Sequence, residues 1–181
     1  IAYTGMRRGE ANGLQWCNIN FANNTITIER TRDAKGARTP KTKNSYRTIM
    51  VDELVMTTLK KYQVWCKRAM LTFGIRYSEE SFVFISPTSA QPISDTSILY
   101  VFRRVQKNAG LSKVMNEKGR GKHVGKITLH GLRHTHATIL LNNEQNVKVI
   151  AERLGNTPEM VYNTYGHVLK ELEKQSVEVF S

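Results

Sequence analysis

His130-Gly131-Leu132-Arg133-His134-Thr135-His136-Ala137-Thr138 is the stretch on which the fold turns. At helical spacing His130, Arg133 and Ala137 share one face, and Leu132, His136, Ile139 and Leu140 another. The first face sets an imidazole and a guanidinium side by side over a small residue. The second is expected to enter the core, which makes His136 a buried, hydrogen-bonded histidine and leaves His134, beside the polar face, open to either role. His130 and His134 also have the i, i+4 spacing of a zinc-protease helix, but that motif needs a Glu next to its first His as general base. Gly131 stands there instead, no acidic residue occurs between Lys118 and Glu144, and Arg133 within the turn repels a divalent cation. An anion suits this helix better than a metal.

The charge of the whole chain agrees. Its 181 residues carry 27 Lys and Arg against 15 Asp and Glu, a net +12 with a pI near 9.9. Such an excess favours a polyanionic partner, of which nucleic acid is the commonest. The excess is concentrated in two stripes. One runs Arg30, Arg32, Lys35, Arg38, Lys41, Lys43, Arg47 against Asp33 alone; the other runs Arg103, Arg104, Lys107, Lys113, Lys118, Arg120, Lys122, Lys126 against Glu117 alone. A merely solvated surface mixes signs, as Lys170, Glu171, Glu173 and Lys174 do, so single-sign stripes point to phosphate contact. The length suits one domain with a real core. No apolar run approaches the roughly 20 residues needed to cross a bilayer. Cys17 and Cys66 are too few for a disulfide framework and fit a reducing cytosol.

Periodicity predicts a mainly helical α+β domain with a small antiparallel sheet near its start. A helix is expected over Arg8 to Trp16, a turn at Asn23-Asn24, a strand over Thr25 to Glu29, a turn at Lys35-Gly36 and a strand over Tyr46 to Val51. The hairpin so formed carries the first basic stripe. A long helix follows from Asp52 (its N-cap) to Leu71, then one from Asp95 to Asn108 with Gly110 past its end. Ser112 to Thr128 is Gly- and Lys-rich and reads as a mobile loop. Helices are expected over His130–Leu141, Val147–Leu154, Pro158–Tyr162 and Val168–Val179. The chain opens on apolar Ile1-Ala2-Tyr3 with no initiator Met, which reads as a helix entered partway and the chain as part of a longer protein.

Three further elements accompany the histidine helix. Thr4-Gly5-Met6-Arg7-Arg8-Gly9-Glu10 places Arg7 and Glu10 on one helix face, where Glu10 can orient an arginine. Leu154-Gly155-Asn156 and Tyr165-Gly166-His167-Val168 follow later. In this order the chain resembles the tyrosine recombinase (phage integrase) family from Thr4 to Val168. The resemblance implies the family's catalytic fold, with its first helix cut short and its amino-terminal DNA-binding domains absent. Residue by residue, it implies Arg7 and Arg133 as the two arginines, His130 as the histidine and candidate base, and Glu10 as the supporting acid. It implies Tyr165 as the nucleophile, preferred to Tyr162 one turn earlier because Gly166-His167-Val168 follows it. The hairpin lysine matches Lys41, with Lys43 as rival. The family has His or Trp where Asn156 stands; an amide can donate a hydrogen bond to phosphate but cannot transfer a proton near neutral pH.

The implied activity is site-specific DNA recombination, the integration and excision of a phage or mobile element, through a 3′-phosphotyrosine intermediate and without metal or other cofactor. The implied partners are double-stranded DNA and further copies of the chain in a tetramer, in the cytoplasm of a bacterial host at its nucleoid. Arg38, Lys43, Arg103 and Arg104 are the expected DNA contacts. Rival readings are a type IB topoisomerase, a DNA-binding module of this fold without turnover, and a metal-dependent nuclease.

Overall fold

The computed structural model describes residues 1–39, 43–94, 96–117, 120–125 and 127–176. Its first half is built on a three-stranded antiparallel sheet, β1 (Ile19–Asn20), β2 (Thr25–Ile28) and β5 (Arg47–Met50), in the order β1-β2-β5. β2 faces β5 with Ile26 opposite Ile49 and Ile28 opposite Arg47. Strict alternation buries Ile26, Ile28, Ile49 and also Arg47, so one cation enters the protein with the isoleucines. Between β2 and β5 a second hairpin, β3 (Thr31–Asp33) with β4 (Gly36–Arg38), carries part of the first basic stripe. The expected Lys35-Gly36 turn is there.

α1 is Arg8–Asn12 only, shorter than the expected Arg8 to Trp16. It packs against β3, and at Gly13 the chain runs so close to Arg30 that an added Cβ would lie 3.1 Å from that backbone. Trp16–Asn18 forms a separate 3₁₀ turn, with Trp16 buried in the core. α2 (Glu53–Thr72) begins at Asp52, whose carboxylate accepts from the Leu54 N–H at 2.8 Å, as a helix cap should. α2 presses Met56, Cys66 and Met70 onto a core that holds Met6, Leu14, Trp16, Ile19, Ile26, Ile28, Ile49 and Val83.

α3 (Ser97–Asn108) starts after Thr96; the expected cap Asp95 lies outside the described residues. Ser112 to Thr128 is not a loop. Ser112–Glu117 (β6) and Arg120–Gly125 (β7) pair as an antiparallel hairpin in continuous register from Ser112–Gly125 to Glu117–Arg120. Backbone pairing builds such a ribbon without an apolar face, and the missing apolar alternation is what hid it in the sequence.

The second half is a helical cluster of α4 (Leu129–Asn142), α5 (Val147–Leu154) and α6 (Pro158–Ser176) around Ala137, Leu141, Ile150, Ala151, Leu154 and Val161. Thr128 caps α4 by accepting from the Gly131 N–H at 2.8 Å. α6 runs through the expected Pro158–Tyr162 helix and on to Ser176 within the expected Val168–Val179 one, whose last three residues lie outside the described residues, and its backbone breaks at Tyr165 (φ −116°, ψ 15°). Among the described residues no helix is long and apolar enough to cross a membrane.

Candidate active site

The two halves meet where α1, β5, the start of α4, the α5–α6 turn and α6 converge. At the centre Arg133 is only 3% exposed. The face of α4 that carries it, with Ala137 and Leu141, is the deeply buried one. Ile139, assigned from spacing to the core face, is 55% exposed, and His136 is half-buried. The interior at this point is polar, lined by backbone oxygens, so it draws in a guanidinium rather than the aliphatic stripe. Arg133 donates through Nη1 to the Gly5 carbonyl (2.6 Å) and through Nη2 to the Leu154 carbonyl (2.7 Å) and Asn156 Oδ1 (3.2 Å). Burial first, and the neighbouring Arg7 charge next, lower its pKa to about 10, still fully cationic at neutral pH.

Arg7 reaches the same acceptors from the other side. Its Nη1 donates to Glu10 Oε1 (2.9 Å) and the Leu154 carbonyl (3.4 Å), its Nη2 to the Gly155 carbonyl (3.2 Å) and Asn156 Oδ1 (2.5 Å). Glu10 also accepts from the Arg7 backbone N–H at 2.8 Å. Behind it lies a residue that the sequence did not mark as functional. Arg47 grips both Glu10 oxygens (3.1 and 2.9 Å) and donates to the carbonyls of Ser45 and Arg153. Burial would raise the Glu10 carboxyl, but the Arg47 guanidinium and then Arg7 outweigh it and hold the group below its ordinary value. The signal for Arg47 was its register: an arginine at a buried strand position, in step with Ile49.

Two glycines make this approach possible. Gly155 ends α5 in the left-handed region (φ +66°), and a Cβ there would stand 2.6 Å from Arg47 Nη1 and 2.9 Å from the Asn44 carbonyl. Gly5 (φ +67°) turns its carbonyl onto Arg133, with His136 and Leu154 each 2.8 Å from where a Cβ would sit. Any other residue at either point combines backbone strain with a clash.

Tyr165 lies at the rim of the arginine cluster, 5% exposed as a whole residue. Its hydroxyl hydrogen-bonds His134 Nδ1 at 2.8 Å. His130, one turn earlier on α4, is exposed and packs edge-on against the His134 ring at 4.6 Å between centroids. His134, left open by the sequence, is thus the imidazole in contact with the phenol. Burial raises the Tyr165 pKa and Arg133 opposes that rise. Burial, followed by the charges of His134, Arg133 and Arg7, lowers the pKa of His130. His136 sits apart, accepting from Arg153 Nε at 3.0 Å and bonded through Nδ1 to the Ala2 carbonyl, a structural role as expected.

Of the remaining expected residues, Lys41 lies outside the described residues and only the backbone of Lys43 is described. Arg38 is exposed on β4 and paired with Asp33 at 2.8 and 2.5 Å. Arg103 and Arg104 are exposed on α3. Among the described residues no three His, Cys, Asp or Glu side chains gather closely enough to hold a metal ion.

The model of the phage integrase family matches residues 1–171. The chain belongs to that family. It is 32% identical to the tyrosine recombinase XerC of Pediococcus pentosaceus over 174 residues, covering 96% of this chain and 49% of that protein. It is 29% identical to the integrase of Staphylococcus phage L54a, covering 96% and 48%. It is 25% identical to the ICEBs1 integrase of Bacillus subtilis, covering 97% and 45%. The chain therefore spans about half the length of the curated relatives it matches. Among solved structures, the Tn1549 transposon integrase in complex with circular intermediate DNA superposes with a TM-score of 0.74 at 23% identity, covering 99% of this chain and 57% of that one. XerA recombinase superposes at 0.66 and 24% identity, covering 97% and 54%. The expected fold is thus the observed one: the catalytic fold of tyrosine recombinases, mainly helical with a small antiparallel sheet near its start.

Proposed function

We propose that this chain carries the active site of a site-specific recombinase that breaks and rejoins double-stranded DNA through a tyrosine. The observation that carries the reading is the convergence of Arg7, beside α1, and Arg133, on α4, on shared acceptors beside the Tyr165 phenol. The named relatives include recombinases and integrases, and one solved neighbour holds DNA, which supports the same chemistry here.

In the proposed reaction the Tyr165 oxygen attacks a backbone phosphorus. The bond to the 5′-oxygen breaks, leaving a 3′-phosphotyrosine and a free 5′-hydroxyl. A free tyrosine has pKa about 10, so only about a thousandth is phenolate at pH 7. Burial at Tyr165 reduces that fraction further. A base is needed, and His134 Nδ1 is bonded to the phenol oxygen, with the His130 ring set edge-on against that of His134. A base so placed contributes about 10²–10⁴ in rate. Arg7 and Arg133 neutralise the charge that builds on the non-bridging oxygens, in forked geometry that an ammonium cannot match. The departing 5′-oxygen takes its proton from the hairpin lysine, Lys41 or Lys43. Attack by a 5′-hydroxyl from another strand reverses each step and rejoins the DNA.

Exchange between two duplexes cuts four strands, so one tyrosine per strand calls for four copies on the DNA. Arg38, Lys43, Arg103 and Arg104 supply phosphate contacts, and the reaction takes place on DNA in the bacterial cytoplasm. Tyr165→Phe abolishes the covalent band formed on nicked duplexes, whereas Tyr162→Phe, altering a side chain 54% exposed, leaves it. A band that survives Tyr165→Phe overturns the assignment, and a protein that retains DNA but never forms a band is a binding module instead. Chelator leaves band and strand cleavage unchanged; cleavage that leaves no covalent band and stops on chelation identifies a metal-dependent nuclease.

A further inference from the structure

The α5–α6 turn presents two acceptors that each serve both arginines, the Leu154 carbonyl and Asn156 Oδ1. Two guanidiniums brought this close repel each other. The Glu10 charge offsets part of both but, among the described residues, Glu10 hydrogen-bonds Arg7 and not Arg133, so it does not tie the two together. The carbonyl is available whatever residue stands at 154, whereas the second bridge belongs to the side chain at 156. A guanidinium only donates, so the atom that touches both must be an acceptor, which fixes the amide with its oxygen toward the arginines. An indole here has only an N–H and cannot accept. An imidazole has one acceptor lone pair and cannot serve two donors at full strength.

We propose that Asn156 is a positioning residue that acts through the arginines: its Oδ1 holds Arg7 and Arg133 converged on one anion before DNA arrives. This inference rests on the recombinase reading above. The side chain then gives the phosphate no proton and needs no hydrogen bond to it. Its contribution is the geometry of two charges, which a displacement of about 1 Å degrades by about 10²-fold in rate.

The test is a double-mutant cycle on the protein, measuring the covalent adduct formed on a pool of nicked duplexes of randomised sequence, with DNA retention and thermal unfolding measured in parallel. N156A slows adduct formation about 10²-fold with DNA retention within a few-fold of wild type. Combined with R133K, it adds far less than it costs alone, because the second arginine is already misplaced. N156D, the same size and still an acceptor toward both guanidiniums, restores much of what N156A loses. Losses that simply add assign Asn156 a role independent of the arginines and overturn the proposal, as does an N156D protein slower than N156A, in which a second acceptor at this position fails to restore the site. N156A at the wild-type rate overturns it too. No adduct from wild-type protein removes the recombinase reading itself, a failure distinct from the other outcomes.

Discussion

The arginine half and the tyrosine half of the site are built in opposite ways. Among the described residues the Arg7 side chain makes four hydrogen bonds and that of Arg133 three, to acceptors on α1, the α5–α6 turn and the Gly5 loop, while Arg47 braces Glu10 from below. Among the described residues the Tyr165 oxygen has one hydrogen-bond partner, His134, and Tyr165 sits where the backbone of α6 leaves helical geometry. Cations in a buried site must be matched by acceptors or they unfold it. A nucleophile that attacks, forms an ester and is later released must move relative to those cations. The first half is therefore over-determined by hydrogen bonds, whereas the second is held by apolar packing and a single hydrogen bond among the described residues.

The largest effect separates the halves at Arg133. Arg133→Lys keeps the charge but cannot span the Gly5 carbonyl, the Leu154 carbonyl and Asn156 in one plane. Cleavage falls about 10³-fold, while DNA retention, supplied by many phosphate contacts, falls about tenfold or less. Adduct yield and filter retention on the same duplexes check the split. Equal losses would make Arg133 a docking contact and erase the contrast.

Glu10→Gln strikes the foundation of the arginine half. It leaves the Arg47 guanidinium buried without a counter-charge and costs about 3 kcal/mol of stability, read from denaturant midpoints. Glu10 has a folded-state pKa below its unfolded one. Its contribution is therefore complete above the ordinary glutamate value of about 4.3 and is lost as pH falls through the folded value. The wild-type protein loses stability over that acid range, and the Gln variant shows a flatter profile there. A profile unchanged by the substitution would mean that Glu10 is not held by its arginines.

Legibility in the sequence followed the same division between local and assembled features. Tyr165 was marked only by the resemblance that Gly166-His167-Val168 carries, whereas Arg7 with Glu10 and His130 with Arg133 could be paired from spacing because each pair lies within one helical turn. Asp52 and Gly110 marked helix ends for the same reason. Arg47 was passed over as one member of a basic stripe, since its burial depends on pairing with Ile28 across the sheet. The His134 bond to Tyr165 depends on how α4 packs on α6, which no spacing within α4 reveals. The acceptor role of Asn156 needed both arginines in place. The β6–β7 hairpin escaped because its strands pair through backbone groups that every residue has.

The smallest effects come from one chemical change made in each half. Gly155→Ala forces a left-handed backbone and a Cβ into the Arg47 guanidinium, and costs about 2 kcal/mol. At Gly166 a Cβ would meet nothing within 4 Å, and the backbone φ is not positive. There Ala has room, and by reducing the freedom of the unfolded chain it stabilises the protein by about 0.4–1 kcal/mol. It also stiffens α6 next to the nucleophile, so adduct formation slows while the unfolding midpoint rises. Calorimetry and the adduct assay on the same Gly166→Ala sample decide the matter. If stability rises with no change in rate, the α6 break is only the shape of the helix; opposite movements make it the hinge on which the phenol turns toward DNA.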